Sequence, residues 1–134
     1  RYVGAKIRTG SFTSTDIELQ SVEMDGSLTQ TPEFPYNWMY DGSRPQMPGF
    51  EMEITCKSLF LIFKDSGEMD VGKADVFVND VYCMTADPHK NNWLHCNAVL
   101  LFWETESRSH KVRITVTEED QNKKFTILGF GYTI

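Results

Sequence analysis

The chain has 134 residues, of which 40% are hydrophobic and 24% charged, and this is the length and composition of one globular domain. Thirteen Lys and Arg stand against nineteen Asp and Glu, and the net charge of −6 argues against nucleic acid as a partner, because phosphate backbones would be repelled. No apolar stretch reaches the roughly 18 residues that cross a bilayer, so the sequence predicts no membrane partner either.

The chain begins at Arg1 and not at a methionine, and its first residues show no signal-peptide pattern. We therefore expect residues 1–134 to form a single module, as a mature form or as a piece excised from a larger protein. Cys56, Cys83 and Cys96 form no CxxC or Cys/His ligand spacing. Cys56 and Cys83 occupy apolar strand positions, where a free thiol packs as a small hydrophobe, and one disulfide remains an alternative.

The first long segment with a distinct composition, residues 25–49, carries four prolines and three glycines and predicts a long connection. Within it, Tyr36, Trp38 and Tyr40 place three rings in five residues. Ring side chains in a loop suit a ligand-binding surface, but they also suit a plug that closes one end of the fold as loop core.

Strand patterns begin at residue 50 and repeat to the end of the chain. Residues 50–56 alternate apolar and polar, whereas residues 59–63 are apolar at every position, as expected of a central strand covered by two layers. Asn79 and Asp80 separate two further strands and predict a hairpin turn, because both residue types tolerate positive φ.

Beyond a second irregular stretch at residues 86–97, the run 98–103 predicts a strand with Trp103 in the core. Residues 112–116 alternate again, and Gly129 and Gly131 in the final segment indicate a bulge or a close backbone approach. These many short strands predict an all-β fold, a two-sheet antiparallel β-sandwich of the jelly-roll type.

No catalytic motif is visible, since the histidines and serines show no spacing that links a nucleophile to a base. Asp65, Glu68 and Asp70 supply the oxygen donors that calcium prefers, but the spacing is not an EF-hand loop and a solvated acidic turn explains them equally. The sequence therefore predicts no enzyme activity and no cofactor, with calcium kept as an alternative.

Aromatic side chains next to amides are the strongest functional pattern. The C–H faces of a sugar ring are apolar and its hydroxyls point outward, so a flat ring beside Asn or Asp reads both features. The predicted polysaccharide site combines stacking rings with hydrogen-bonding partners: Trp38, Tyr36, Tyr40 and Trp93 with Asn37, Asp41, Asn91 and Asn92.

Four segments in this order resemble the jelly-roll modules that accompany SGNH (GDSL-type) esterases of gut and rumen bacteria. They are residues 73–80 (KADVFVND), 91–93 (NNW), 109–114 (SHKVRI) and 125–132 (FTILGFGY), and residues 2–5 and 10–14 are similar to the start of the same module. The sequence departs from that pattern at Asn79–Asp80, where the modules usually carry Asp-Gly.

The resemblance implies a non-catalytic accessory module of an extracellular carbohydrate-active enzyme, covalently linked to an SGNH domain that holds the esterase triad. His110 is then a structural hydrogen-bonding residue. The implied ligand is plant cell-wall polysaccharide, a β-glucan or hemicellulose, and binding would act by raising effective concentration. The alternative is an accessory domain that docks on the esterase domain and shapes its active site.

Overall fold

The computed structural model describes residues 4–13, 15–16, 22–24, 27–29, 34, 36–45, 47–91 and 96–134. Within these ranges the fold is all-β, and seven strands form one antiparallel sheet in the order β4-β9-β5-β8-β6-β7, with β1 paired to β5. The strands are β1 (Lys6–Arg8), β4 (Trp38–Tyr40), β5 (Phe50–Lys64), β6 (Ala74–Val78), β7 (Val81–Ala86), β8 (Cys96–Val116) and β9 (Phe125–Thr133), while β2 (Val22–Met24) pairs separately with β3 (Ser27–Thr29).

A short 3₁₀ turn, Glu118–Asp120, joins β8 to β9. In the part of the chain that the structure describes, no helix has the length and apolarity needed to cross a membrane.

Two long strands replace four of the short ones that the sequence predicts. β5 runs unbroken through residues 50–64 and β8 through residues 96–116, and neither contains glycine or proline. A register shift lies where they pair: Cys56 is opposite Arg108, and Ser58 is opposite Trp103. Residues 104–107 of β8 therefore stand opposite the single residue Lys57, and this irregularity lets both strands continue without a turn.

The sheet is strongly curved, because residues far apart along it meet in the core. Phe130 pairs with Leu61, which lies eleven residues beyond Phe50 and would be about 36 Å away in a straight strand. The rings of Phe50 and Phe130 nevertheless stack with their centroids 5.6 Å apart. The core also contains Phe12, whose ring meets Phe50 edge-on with the centroids 6.2 Å apart.

The predicted hairpin turn and the predicted bulge are both confirmed. Asn79 and Asp80 have φ of 51° and 64° between β6 and β7, the left-handed pair of a type I′ turn. In β9, Ile62 pairs with Gly129 and Phe63 with Ile127, so Leu128 is the extra residue of a bulge.

The predicted long connection at residues 25–49 is wrong in its extent, because β3 and β4 lie inside it. β4 is a strand because Trp38 and Tyr40 find backbone partners at Ile127 and Phe125 of β9. That pairing is tertiary, so the proline- and glycine-rich local sequence gave no indication of it.

Candidate functional site

The predicted aromatic segment divides between the core and the surface. Tyr40 is only 2% exposed, its hydroxyl donates to Gln121 O at 2.5 Å, and burial followed by the charge of Asp41 raises its pKa. Trp38 packs against the core, with its ring centroid 5.1 Å from that of Phe50. The ring of Tyr40 is therefore not available for stacking on a ligand, contrary to the prediction, and Trp38 follows the loop-core alternative.

The neighbouring predicted residues have mixed environments. Tyr36 is 73% exposed. Asn37 is buried, and its Oδ1 accepts from Asp16 N at 2.9 Å while its Nδ2 donates to Phe34 O at 3.0 Å. Asp41 Oδ1 accepts from Ser43 N at 2.9 Å. Asn37 therefore holds two backbone segments together, and Tyr36 is the ring of this segment that faces solvent.

The second part of the predicted site is only partly described. Asn91 Nδ2 donates to Asn97 Oδ1 at 2.9 Å. Asn92 and Trp93 lie outside the described residues. Of the described residues in the predicted site, Tyr36 is exposed and Asn37 and Tyr40 are buried. The others are partly buried: Trp38, Asp41 and Asn91.

A different surface carries the largest exposed apolar side chains near the centre of the sheet. We call it the open face, and it is the side of β9, β5 and β8 that points away from the core. Phe60 is 40% exposed and pairs with Leu100 on one side and Gly131 on the other, and Leu100 is 49% exposed. The expectation that residues 59–63 are covered on both faces is therefore wrong, because only the Leu59 and Leu61 face is buried.

Trp103 lies on the same open face, and the prediction that it belongs to the core is wrong. It is 81% exposed and pairs with Ser58, which shares the face of Phe60 two residues further along β5. A second register shift explains the difference. Phe60 pairs with Leu100 and Leu59 with Phe102, so the buried Leu101 is an extra residue of β8. It reverses the alternation of the run 98–103 and places Trp103 on the open face instead of the buried face.

Polar groups close both ends of the open face. At one end, the hydroxyls of Ser58 and Thr133 lie 2.7 Å apart. At the other end, about 20 Å away along β5, Lys64 Nζ donates to Asp16 Oδ2 at 2.9 Å, and Thr126 Oγ1 donates to the same oxygen at 3.1 Å. Ser58, Asp16 and Thr126 are themselves buried and bond to these neighbours, so the exposed part of the face is apolar.

The floor is accessible because one neighbouring strand carries no side chain there. A Cβ built at Gly131 would lie 3.7 Å from Phe60 Cβ, at ordinary contact distance. A larger side chain at Gly131 would thus cover the ring of Phe60. The sequence indicates Gly131 only as a place for a bulge or a close backbone approach. Its effect on the surface, which leaves the ring of Phe60 accessible, depends on its pairing with Phe60.

His110 lies in a separate polar cluster at the irregularity of β8. Its Nδ1 accepts from Asn79 Nδ2 at 2.9 Å, and its Nε2 bonds Glu104, which also accepts from Arg108. The hydrogen bond from Arg108 lowers the pKa of Glu104, against the opposing effect of burial, and the bond to His110 lowers it further. Both ring nitrogens of His110 are thus held by an amide and a carboxylate.

The acidic turn after β5 does not gather its carboxylates at one point. Asp65 is buried, whereas Glu68 and Asp70 are exposed, and Asp70 Oδ2 lies 3.4 Å from Lys124 Nζ. Among the described residues, no group of three or more His, Cys, Asp and Glu could hold a metal ion. Cys56 and Cys83 are free thiols, and burial raises the pKa of both, with the charge of Glu104 as a second cause at Cys56.

No family model and no curated protein sequence matches the chain. Three solved structures, all of carbohydrate esterases, match part or most of the chain. One is an acetyl xylan esterase from the rumen bacterium Butyrivibrio proteoclasticus, with 15% sequence identity and a TM-score of 0.45. The matched region covers 64% of this chain and 25% of the esterase. A two-domain esterase active on acetylated mannans has 16% identity, a TM-score of 0.46, and coverage of 72% and 27%.

The third structure, a family two carbohydrate esterase from Cellvibrio japonicus, has 15% identity and a TM-score of 0.45, and covers 97% of this chain and 36% of its own. The chain thus spans about a quarter to a third of the length of these esterases.

Proposed function

We propose that the chain is a non-catalytic carbohydrate-binding module that holds an extracellular carbohydrate-active enzyme on plant cell-wall polysaccharide, a β-glucan or hemicellulose. The observation that carries the proposal is the exposure of Trp103, Leu100 and Phe60 along one sheet face. Such a floor matches the apolar C–H faces of sugar rings.

The long strands support the finer fold assignment that goes with this function. β5 and β8 each run through the register shift at Cys56 and Ser58, and the Phe50–Phe130 stack brings their two halves face to face. We infer that the two halves are the two layers of a jelly-roll sandwich. The open face is then the outer surface of one layer.

The resemblance of residues 73–80, 109–114 and 125–132 to modules of SGNH esterases supports the enzymatic setting. In that setting the module is one part of a larger secreted enzyme, covalently linked to the catalytic domain. Its contribution is an increased local concentration of substrate rather than a group in the reaction.

The same exposed apolar side chains also suit a second function, docking on the linked catalytic domain. Exposed apolar patches mark protein contacts as well as ligand sites. The side chains of Leu100 and Phe60 are exposed hydrocarbons without polar atoms, as is common in protein contacts. In this case the open face would be covered in the whole enzyme and would shape a rim of its active site.

Affinity electrophoresis of the chain against a panel of plant polysaccharides tests the proposal. Retardation by one glycan class is expected, and Trp103→Ala should abolish most of it because the stacking surface is lost. Gly131→Val should also weaken binding, since its side chain would cover Phe60. Tyr36→Ala tests whether the exposed ring of the predicted site contributes to the same binding.

The matched control is Tyr82→Ala, which removes a ring that is exposed on β7, at the far edge of the sheet from β9. Retardation unchanged by Trp103→Ala would contradict the site on the open face. If no glycan retards the wild-type chain while the chain forms a complex with an added SGNH esterase domain, docking replaces glycan binding as its function. The same result would make Trp103→Ala the variant to test for loss of that complex.

A further inference from the structure

A cleft of about 390 Å³ lies between the segment that leads into β5 and the end of β8. Its lining comes from that segment, from β8, from the 3₁₀ turn after β8 and from β6, and includes Met47, Gly49, Thr115, Glu118 and Asp75. None of the exposed apolar side chains of the open face belongs to this lining. Small-molecule sites measure about 300 to 1,000 Å³, so the cleft has the size for a small ligand.

The segment before β5 is fixed against the rest of the fold. Pro48 O accepts from Ser11 N at 2.6 Å. Gly49 lies so close to β8 that a Cβ built there would be 2.3 Å from Ile114 O, and only glycine allows this approach. This side of the cleft is therefore shaped before any ligand arrives.

The turn after β8 is held in a similar way. Tyr40 Oη donates to Gln121 O, and Gln121 Nε2 donates to Val116 O at 2.6 Å. These bonds tie β4, the end of β8 and the residue after the turn together, and Gln121 itself lines the cleft. Little free energy of binding is therefore lost in ordering the lining.

The acidic groups of the cleft have acceptor capacity left. Asp75 Oδ1 accepts from Thr85 Oγ1 at 2.6 Å, and its Oδ2 has no hydrogen-bond partner among the described residues. Glu118 is exposed and forms no ion pair with the described residues. The lining that the structure describes contains no Lys, Arg or His, so it repels anions and accepts hydrogen bonds from hydroxyls.

Apolar groups complete the lining. Met47 is 48% exposed, and Val116 lines the cleft as well. A sugar ring presents apolar C–H faces along with hydroxyls, and acceptors beside apolar side chains match both features. We propose that the cleft binds one terminal neutral sugar unit of a glycan, with Asp75 and Glu118 accepting from its hydroxyls. This second site lies outside the open face and does not depend on the function proposed above.

Titration of the ¹⁵N-labelled chain with free sugars, followed by amide chemical shifts, tests the proposal. The neutral probes are glucose, mannose, xylose and galactose, and glucosamine and glucuronate are the cationic and anionic comparisons. At least one neutral sugar should shift the amide signals of Thr115 and Gln121, with a dissociation constant on the order of 1 mM for so small a ligand. Glucuronate should bind about tenfold more weakly or not at all. Binding of glucosamine alone would overturn the proposal, because the cleft would then select a cation.

Glu118→Ala and Asp75→Asn should each weaken this binding by about tenfold, because a charged acceptor is lost, and Asp75→Asn keeps an oxygen for Thr85. Glu119→Ala is the matched control, since it removes an exposed carboxylate of the same turn that does not line the cleft. An absence of shifts with every neutral sugar would overturn the proposal, and so would unchanged binding in both cleft variants. Trp103→Ala should bind free sugar as the wild type does while it loses polysaccharide retardation, so the failure of one site is distinguishable from the failure of the other.

Discussion

Asn79 Nδ2 donates to His110 Nδ1 at 2.9 Å and so ties the tip of the β6–β7 hairpin to β8. The amide orientation follows from its other contact, because Asn79 Oδ1 accepts from Lys111 N at 3.0 Å. With Nδ1 as an acceptor, the proton of the neutral imidazole lies on Nε2 and is donated to Glu104. Asn79 thus adopts the positive φ that the turn requires, and its side chain also hydrogen-bonds two residues of β8.

Two substitutions in this turn should change stability in opposite directions. Asn79→Gly keeps the positive φ but removes the bonds to His110 and Lys111, and should lower the free energy of unfolding by about 1 to 2 kcal/mol. Asp80→Gly relieves the left-handed strain of an L residue and should raise it by about 0.5 to 1 kcal/mol, despite losing the exposed contact with Lys111. Urea unfolding measures both, and equal effects of the two changes would contradict the role of the Asn79 side chain.

The Glu104 cluster predicts a dependence of stability on pH. The hydrogen bond from Arg108 lowers the pKa of Glu104 in the folded chain, burial opposes this, and the hydrogen bond to His110 lowers it further. Ionised Glu104 therefore stabilises the fold at pH values above its unfolded pKa. That stabilisation is lost as pH falls through the lowered folded pKa. Urea midpoints between pH 7 and 3 should therefore drop less steeply in Glu104→Gln than in the wild type, whereas Glu106→Gln serves as the exposed control. Parallel profiles for all three chains would exclude this contribution.

Truncation should destabilise the chain strongly at one tryptophan and hardly at all at another. Trp38→Ala removes a ring that packs on Phe50 and Phe130 and should cost about 3 kcal/mol. Trp103→Ala removes a ring that is mostly in water and should change stability by less than about 0.5 kcal/mol. Thermal or urea unfolding of the two variants checks the assignment, and a large loss in Trp103→Ala would show that its ring is packed.

Gly10 is required by a close approach as well as by its φ of 51°. A Cβ there would lie 1.9 Å from Pro48 O, which accepts from Ser11 N at 2.6 Å. Gly10→Ala should therefore destabilise the chain by about 2 to 4 kcal/mol, the sum of backbone strain and overpacking.

The control for Gly10 is Gly4→Ala, because Gly4 has a φ of 72° and nothing within 4 Å of a built Cβ. It should show the backbone contribution alone, about 1 kcal/mol. Equal melting temperatures for the two variants would mean that the backbone around Pro48 moves without cost.

Much of the fold could be predicted because its signals are local. The Asn79–Asp80 turn and the bulge beside Gly129 follow from residue types that tolerate positive φ or weaken a strand. The site was less predictable. Tyr40 and Trp38 lie in an aromatic segment typical of a ligand surface, yet the pairing of β4 with β9 turns both rings toward the core.

The sequence by itself determined that the fold is all-β and that strands follow one another from residue 50 to the end of the chain, because a period of two and the choice of turn residues act between near neighbours. Only the tertiary structure decided which apolar faces are covered. Trp103 ends an apolar run and is exposed, whereas Asp65 lies in an acidic turn and is buried. Exposure depends on how the extra residue Leu101 shifts the register of β8 against β5 and on which segments pack over each face, and these are relations between residues far apart in the chain.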